Sequence, residues 1–200
     1  IAALKDEPGG DEMGLRWRLV NSMIDLNRFD GATAEIKALR DEALRPELLG
    51  YLDARLLAGR GQHAAAARAL RDLLPQLSAA SGLAEITKRS LILLGSCCER
   101  LGNSEERCTA FERAVAIELD PDPLRVPARL GLAAALVDSG RIAEAIEQYR
   151  IILPNEPTAG FALARLQIMQ NLRKPAEDRQ WQGVEQTLAA VEHGLGGAAS

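Results

Sequence analysis

The chain has 200 residues, of which 47% are hydrophobic and 26% are charged, and its formal net charge is −4 at pH 7. Such a chain can bury a core, and its acidic balance does not point to a binder of nucleic acid or polyanions. Aromatic residues make up only 4%, so the core must be built from Ala and Leu. Small and aliphatic side chains favour close helix–helix contact over a β-sandwich. No run of about 18 apolar residues exists, so we expect no membrane span.

The N-terminal segment and the choice of basic residues suggest where the chain comes from. The first residue is Ile rather than Met, so we expect a fragment of a longer protein. Arg greatly outnumbers Lys and the Ala and Gly content is high, which favours a GC-rich bacterial genome. Residues 1–12 (IAALKDEPGGDE) contain a Pro-Gly-Gly break and are predicted to be a linker.

A repeated phrase begins after this segment. The stretch Gly140–Pro157 reads GRIAEAIEQYRIILPNEP, and related stretches precede it at intervals of about 34 to 41 residues. Each unit is numbered so that its central Gly or Asn is position 15; these anchors are Asn27, Gly61, Gly102 and Gly140. A left-handed backbone at the anchor ends one helix and starts a tight turn.

Two apolar stripes flank each anchor, at positions 7, 8 and 11 and at positions 20, 24 and 27, which predicts an antiparallel helix pair. Small residues at positions 8 and 20 allow the two helices to approach closely; the pairs are Val20/Ala32, Ala54/Ala66 and Ala133/Ala145. The pattern is broken by Asp53 at position 7 and by Arg107 at position 20. Each pair leaves apolar surface uncovered and must stack on a neighbour.

These residues, with the closing prolines Pro46, Pro121 and Pro157, resemble the tetratricopeptide repeat (TPR) family. The resemblance implies an all-α, right-handed superhelical solenoid of antiparallel helix pairs. Four pairs are expected over 13–157 (13–46, 47–80, 88–121 and 126–157), followed by a degenerate fifth pair or capping helices at 158–194 and a flexible tail at 195–200. Trp17 comes one residue later than the Trp that the family pattern has at position 4.

Several local features are predicted along the chain. The second helix of pair two either runs past Pro75 or breaks there, with Ser81-Gly82 as the turn. Ser104 is a plausible N-cap, and the acidic residues after it favour a helix N-terminus. Residues 120–123 (DPDP) form a stiff connector, and Pro127 suits the first turn of the next helix.

The residue types of catalytic and metal sites are sparse and scattered. His63 and His193 lie far apart in the sequence, and we interpret them as a helix-start packing residue and a solvated residue. The cysteines are interpreted as small buried hydrophobes, with a disulfide or metal role for Cys98 and Cys108 as the alternative; they are Cys97, Cys98 and Cys108. Free thiols favour a reducing compartment, hence the cytoplasm. We predict a non-enzymatic chain with no cofactor and no metal site.

The resemblance also implies a place for a ligand. In TPR proteins the first helix of each pair lines a concave face that binds extended peptides or partner helices. Carried onto this chain, the candidate groove residues are Trp17, Asn21, Tyr51, Arg55, Ser96, Arg100 and Arg165. Aromatics and Arg are common hot-spot residues, and Asn offers a donor and an acceptor. Alternatively, Trp17 and Tyr51 simply pack between adjacent units. The carboxylate clamp of one subfamily is not expected, because Trp17 stands where that clamp has Lys.

The leading functional prediction is a protein–protein interaction scaffold that binds a peptide or partner segment in this groove, with no nucleic-acid partner. One alternative is a structural or self-associating module, with a terminal helix pair rich in apolar residues as the interface: Phe161, Ile168, Met169, Trp181, Val184 and Leu188. Another is a regulatory domain of a larger chain whose chemistry lies outside these residues. Fold by itself does not decide among them.

Overall fold

The computed structural model describes residues 10–42 and 44–196. Over these residues the chain forms ten α-helices and a short 3-10 helix, and no strand. The α-helices, in chain order, are α1 Gly10–Asp25, α2 Phe29–Asp41, α3 Pro46–Gly59, α4 His63–Ala79, α5 Ala84–Leu101, α6 Ser104–Ala116, α7 Arg125–Asp138, α8 Ile142–Ile152, α9 Ala159–Leu172 and α10 Gln182–Gly196. The prediction of an all-α repeat fold is confirmed.

The four predicted anchors all adopt the left-handed backbone conformation. Asn27 has φ 57°, and Gly61, Gly102 and Gly140 have φ between 71° and 76°. In each turn the following amide donates to a carbonyl five residues back, and the shared hydrogen bonds are Arg28 N to Met23 O, Gln62 N to Leu57 O, Asn103 N to Cys98 O and Arg141 N to Leu136 O. This arrangement is the Schellman motif, which reverses the chain and makes each helix pair antiparallel.

Small residues lie where the two helices of a pair approach most closely. Val20, Ala32, Ala54, Ala66, Ala133 and Ala145 are all completely buried. The helices of the third pair pack differently, because the ring of Phe111 lies directly against Gly95. A Cβ atom on Gly95 would lie 2.6 Å from that ring. Arg107, at the position where the other pairs have Ala, is buried with its Nη2 atom 3.5 Å from Glu99 Oε1.

The chain divides into two compact units. Unit 1 ends at Asp122 and contains α1 to α6; unit 2 begins at Pro123 and contains α7 to α10. In unit 1 each helix packs on the next, and α1, α3 and α5 also contact one another in sequence. In unit 2, α7 packs on α8, α8 on α9 and α9 on α10.

The segment that ends unit 1 is tied to α5 by a buried lysine. Lys88 is only 1% exposed. Its Nζ atom donates to Ile117 O at 2.9 Å and to Asp122 Oδ2 at 2.5 Å. The stretch between α6 and α7 is therefore bound to α5 by a charged pair, in addition to being stiffened by its prolines.

Several helix boundaries differ from the expectations. Helix α1 begins at Gly10, inside the predicted linker, and α10 extends to Gly196, inside the predicted tail; the rest of the linker (1–9) and of the tail (197–200) lies outside the described residues. The second helix of pair two was expected either to run past Pro75 or to break there. Helix α4 runs past Pro75 to Ala79 and is followed by a turn at Gly82. The N-cap of α6 is Asn103 and not Ser104, because the Asn103 side chain accepts from Glu106 N.

Candidate functional site

Polar side chains gather on the side of unit 1 formed by its first helices. Asp25 Oδ1 accepts from Arg55 Nη2 at 2.7 Å, which joins α1 to α3. On α5, Arg89 donates to Glu85 Oε1 through Nε at 3.0 Å and Nη2 at 2.8 Å. With Asn21, these residues form what we call the first-helix face. Each guanidinium on it already neighbours a carboxylate, so its charges are nearly balanced.

Two of the predicted groove residues form the floor of this face rather than its surface. Trp17 and Tyr51 are each 4% exposed, and their rings stack with centroids 5.6 Å apart and an interplanar angle of 14°. The expectation that these rings line an open groove is corrected, because they fill the space between α1 and α3. Burial raises the pKa of Tyr51, while the nearby guanidinium groups of Arg55 and Arg89 act in the opposite direction.

Arg55 and Asn21 lie beside the stacked rings, and their contacts within the chain use only some of their donors and acceptors. Asn21 Nδ2 donates to Trp17 O at 2.7 Å within its own helix. Arg55 has a side chain that is 24% exposed, and its buried Nε has no hydrogen-bond partner within the described residues. A buried donor without an acceptor is costly, so this atom weakens the packing of Arg55, while the exposed part of the guanidinium stays accessible to a ligand.

The remaining predicted groove residues are spread along the chain. The exposed Ser96 donates its hydroxyl to Ile92 O at 3.1 Å, so its own helix already uses it. Arg100 is exposed near the end of α5, and no carboxylate pairs with it among residues 10–42 and 44–196. Arg165 belongs to unit 2, where it borders a cleft of 150 Å³ beside Asp138 and Tyr149. The structure thus brings Asn21 and Arg55 together and leaves Arg165 in a separate unit.

A second constellation lies on the other side of unit 1, between α4 and α6. Arg71 donates to both carboxylate oxygens of Glu106, at 2.6 and 2.7 Å. The pair borders a cleft of 290 Å³ that also involves Pro75 and Arg113. Sequence reasoning missed this pair and the Lys88–Asp122 pair, because their partners are more than thirty residues apart and no local pattern links them.

The Arg71–Glu106 pair predicts a specific dependence of stability on pH. Arg71 lowers the pKa of Glu106, so the ionised carboxylate stabilises the fold at pH values above the ordinary Glu pKa of about 4.3. We expect Glu106→Gln to cost about 0.5 to 1 kcal/mol at pH 7. The cost should vanish as the pH falls through the lowered pKa, since the wild-type carboxylate is then also neutral.

Urea denaturation of both proteins at a series of pH values measures this difference. Glu105→Gln is the matched control, because Glu105 is exposed on the same helix. A cost of Glu106→Gln that stayed constant down to pH 2.5 or below, about two units under the ordinary pKa, would contradict an electrostatic origin.

The cysteines and histidines of the described residues form no reactive site. Cys97, Cys98 and Cys108 are buried, as expected for small hydrophobes. Burial raises the pKa of Cys97 to about 11 and that of Cys98 to about 12, which keeps both thiols protonated and unreactive near neutral pH. His63 begins α4, and His193 is exposed on α10.

Two further features are absent from the described residues. No group of three or more His, Cys, Asp and Glu side chains is placed to hold a metal ion within them. None of the helices in this part of the chain combines the length and the apolar character needed to cross a bilayer.

Solved structures of repeat proteins have the same fold as this chain. A kinesin light chain-like protein of Podosopora anserina with nearly identical TPR-like repeats matches with a TM-score of 0.65 and 18% identity over 91% of this chain and 94% of that one. The fold is that of tetratricopeptide repeats. MamA protein matches with a TM-score of 0.61 and 14% identity, over 92% of each chain.

A third TPR structure, YrrB, is described as having an unusual peptide-binding site. It matches with a TM-score of 0.59 and 14% identity, over 89% of this chain and 84% of that one. No family model matches the sequence, and no curated protein matches it significantly. At these identities the likeness concerns the fold alone.

Proposed function

We propose that this chain is a non-enzymatic protein-interaction scaffold that binds an extended peptide or a segment of a partner protein on the first-helix face of unit 1. The observation that carries the proposal is the partly exposed guanidinium of Arg55 beside Asn21, above the stacked rings of Trp17 and Tyr51. The shared TPR fold supports it, since such arrays are protein-binding scaffolds and YrrB has a peptide-binding site.

The chemistry of the face suits a peptide main chain. An extended peptide presents alternating carbonyl acceptors and amide donors, and Arg55 and Asn21 offer both kinds of partner. The stacked rings hold Arg55 and Asn21 on a rigid base, which lowers the entropy cost of binding. Because Arg55 and Arg89 each neighbour a carboxylate, the face favours main-chain contacts over the capture of a strongly acidic group.

A selection of displayed random peptides on the immobilised 200-residue chain tests the proposal without knowledge of the natural partner. We expect Arg55→Ala to weaken the binding of a selected peptide at least about tenfold, as for an interface hot spot. Fluorescence anisotropy measures the dissociation constant. Arg68→Ala is the matched control, because Arg68 is exposed on α4, one of the second helices, and should change the affinity less than about twofold.

The two variants separate the possible results. Selected peptides that lose affinity with Arg68→Ala and keep it with Arg55→Ala would place the binding surface on the second helices. A library that yields no binder to the folded chain would contradict peptide recognition altogether.

The other predictions on the role of the chain are independent of this face. A bacterial source, a cytoplasmic location and a place as regulatory domain in a larger protein remain predictions. Self-association is favoured by a separate observation on α9 and α10, which concerns unit 2 alone.

A further inference from the structure

The last two helices form an antiparallel pair with a well-defined seam. Thr187 Oγ1 donates to Gln167 Oε1 at 3.0 Å, and Asn171 Nδ2 donates to Gln180 O at 2.5 Å. At the other end of the seam, a Cβ atom on Gly160 would lie 2.2 Å from Val191. These contacts fix which side of each helix faces the other.

Each helix of this pair carries a stripe of apolar side chains beside the seam. On α9 the stripe follows a spacing of seven and four residues. The other stripe begins at Trp181, directly before α10, and continues on α10 with a spacing of seven, so each lies on one side of its helix. At about 100° per residue, each stripe is rotated by about a quarter turn from the seam, in the same sense. Because the helices are antiparallel, both stripes face the same side of the pair. We call this surface the α9–α10 face; its apolar residues are Phe161, Ile168, Leu172, Trp181, Leu188 and Leu195.

The α9–α10 face is open to solvent. Phe161 and Leu172 are each 55% exposed, and Trp181, Leu188 and Leu195 are between 39% and 44% exposed. A capping pair is expected to have a polar outer face, whereas this face of α9 and α10 is apolar. A contiguous apolar surface of this kind marks an interaction site.

Charged residues border the two edges of the α9–α10 face with opposite signs. Arg165 stands beside the α9 stripe, and Glu185 and Glu192 stand beside the α10 stripe. None of the three pairs with an opposite charge among residues 10–42 and 44–196. The face is therefore complementary to itself, since one edge is basic and the other is acidic.

We propose that the α9–α10 face is a dimer interface that binds the same face of a second copy of this chain. A twofold axis parallel to the helices would lay α9 of one copy on α10 of the other in a four-helix bundle. The six apolar side chains would then cover their counterparts. The basic edge of each copy would meet the acidic edge of the other.

The seam contacts also determine where the charged residues lie along the helix axis. Gln167 lies opposite Thr187. Because the two helices are antiparallel, Arg165 and Glu185 lie on opposite sides of that level and about 6 Å apart along the helix axis, a distance that the long Arg165 side chain can span. A twofold axis parallel to the helices preserves these levels. Arg165 of one copy would thus come within reach of Glu185 of the other, and the reverse contact would form by symmetry.

Sedimentation velocity of the full 200-residue chain between about 1 and 500 μM tests this interface, which shares no residue with the proposed peptide-binding face of unit 1. We expect the wild-type chain to form a dimer in this range. Leu188→Glu should raise the dissociation constant at least about 100-fold by placing a charge within the apolar centre. Leu26→Glu is the matched control, because Leu26 is an exposed leucine in the turn after α1 in unit 1, and it should leave the dimer unchanged.

A charge swap tests the arrangement of the two copies. We expect Arg165→Glu and Glu185→Arg each to raise the dissociation constant about tenfold, because each brings like charges together. The double variant should return to within about threefold of wild type. Far-UV circular dichroism checks that every variant keeps its helix content.

Three results would overturn the proposal. The wild-type chain could stay monomeric at about 500 μM, in which case a different partner covers the face. Leu26→Glu could abolish the dimer while Leu188→Glu leaves it intact, which would place the interface in unit 1. A double charge variant as weak as the single variants would exclude the twofold arrangement.

Discussion

Replacing Lys88 by alanine is expected to lower the free energy of unfolding of unit 1 by about 3 to 5 kcal/mol. Lys88 is buried near the start of α5, and its ammonium group donates to Ile117 O and Asp122 Oδ2. Its removal leaves the carboxylate of Asp122, whose side chain is only 15% exposed, without this cation. A buried carboxylate that loses its nearby cation is costly, because water solvates it poorly there.

The fluorescence of Trp17 measures this effect in a Trp181→Phe background, since Trp17 then reports on unit 1 alone. Lys37→Ala serves as the matched control, because Lys37 is exposed on α2, and it should change stability by less than about 0.5 kcal/mol. Lys88→Met combined with Asp122→Asn removes both charges and should recover much of the loss. A Lys88→Ala chain as stable as the control would contradict the buried ion pair.

Replacing Trp17 by alanine is expected to cost about 3 to 5 kcal/mol of stability. The ring is 4% exposed and belongs to the apolar core that α1 shares with α2 and α3, so its removal leaves a cavity that these helices cannot fill. The stack on Tyr51 adds a coupling of about 0.5 to 1.5 kcal/mol between the two rings. Urea denaturation followed by far-UV circular dichroism, with a double-mutant cycle on Trp17 and Tyr51, measures both quantities.

The control for Trp17 is an exposed apolar side chain in the turn directly after the same helix. Leu26 is 68% exposed, and Leu26→Ala should change stability by less than about 0.5 kcal/mol. If Trp17→Ala were no more costly than Leu26→Ala, the ring would not be part of the core. For the same reason Trp17→Ala is unsuited to test peptide binding, since it would weaken the fold together with the site.

The repeat itself is visible in the sequence because its signals are local. A residue with a left-handed backbone conformation between two apolar stripes can be identified from a few neighbouring residues. All four anchors, Asn27 included, have this conformation. Small residues at the helix contact could likewise be identified from their spacing. The pair with Gly95 and Arg107 has the same fold but a different contact between its two helices, in which the ring of Phe111 occupies the space beside Gly95.

The roles of individual site residues were much less predictable. Asn21 and Arg55 could be assigned to the first-helix face from their positions in the repeat. The sequence could not decide whether Trp17 and Tyr51 line that face or lie beneath it. A side chain at the same repeat position is exposed or buried according to how closely the next first helix packs against its own helix. A neighbour thirty residues away in the sequence decides it, and here that neighbour is the other ring.

The sequence alone therefore determined the helix pairs, their turns and the TPR-like fold, because periodicity and turn chemistry act within a few residues. The tertiary structure alone decided the buried Lys88–Asp122 pair, the unsatisfied Nε of Arg55 and the open α9–α10 face. Each of these depends on which distant surfaces meet and which stay exposed. Burial and charge pairing are set by those contacts, and no local pattern of residues encodes them.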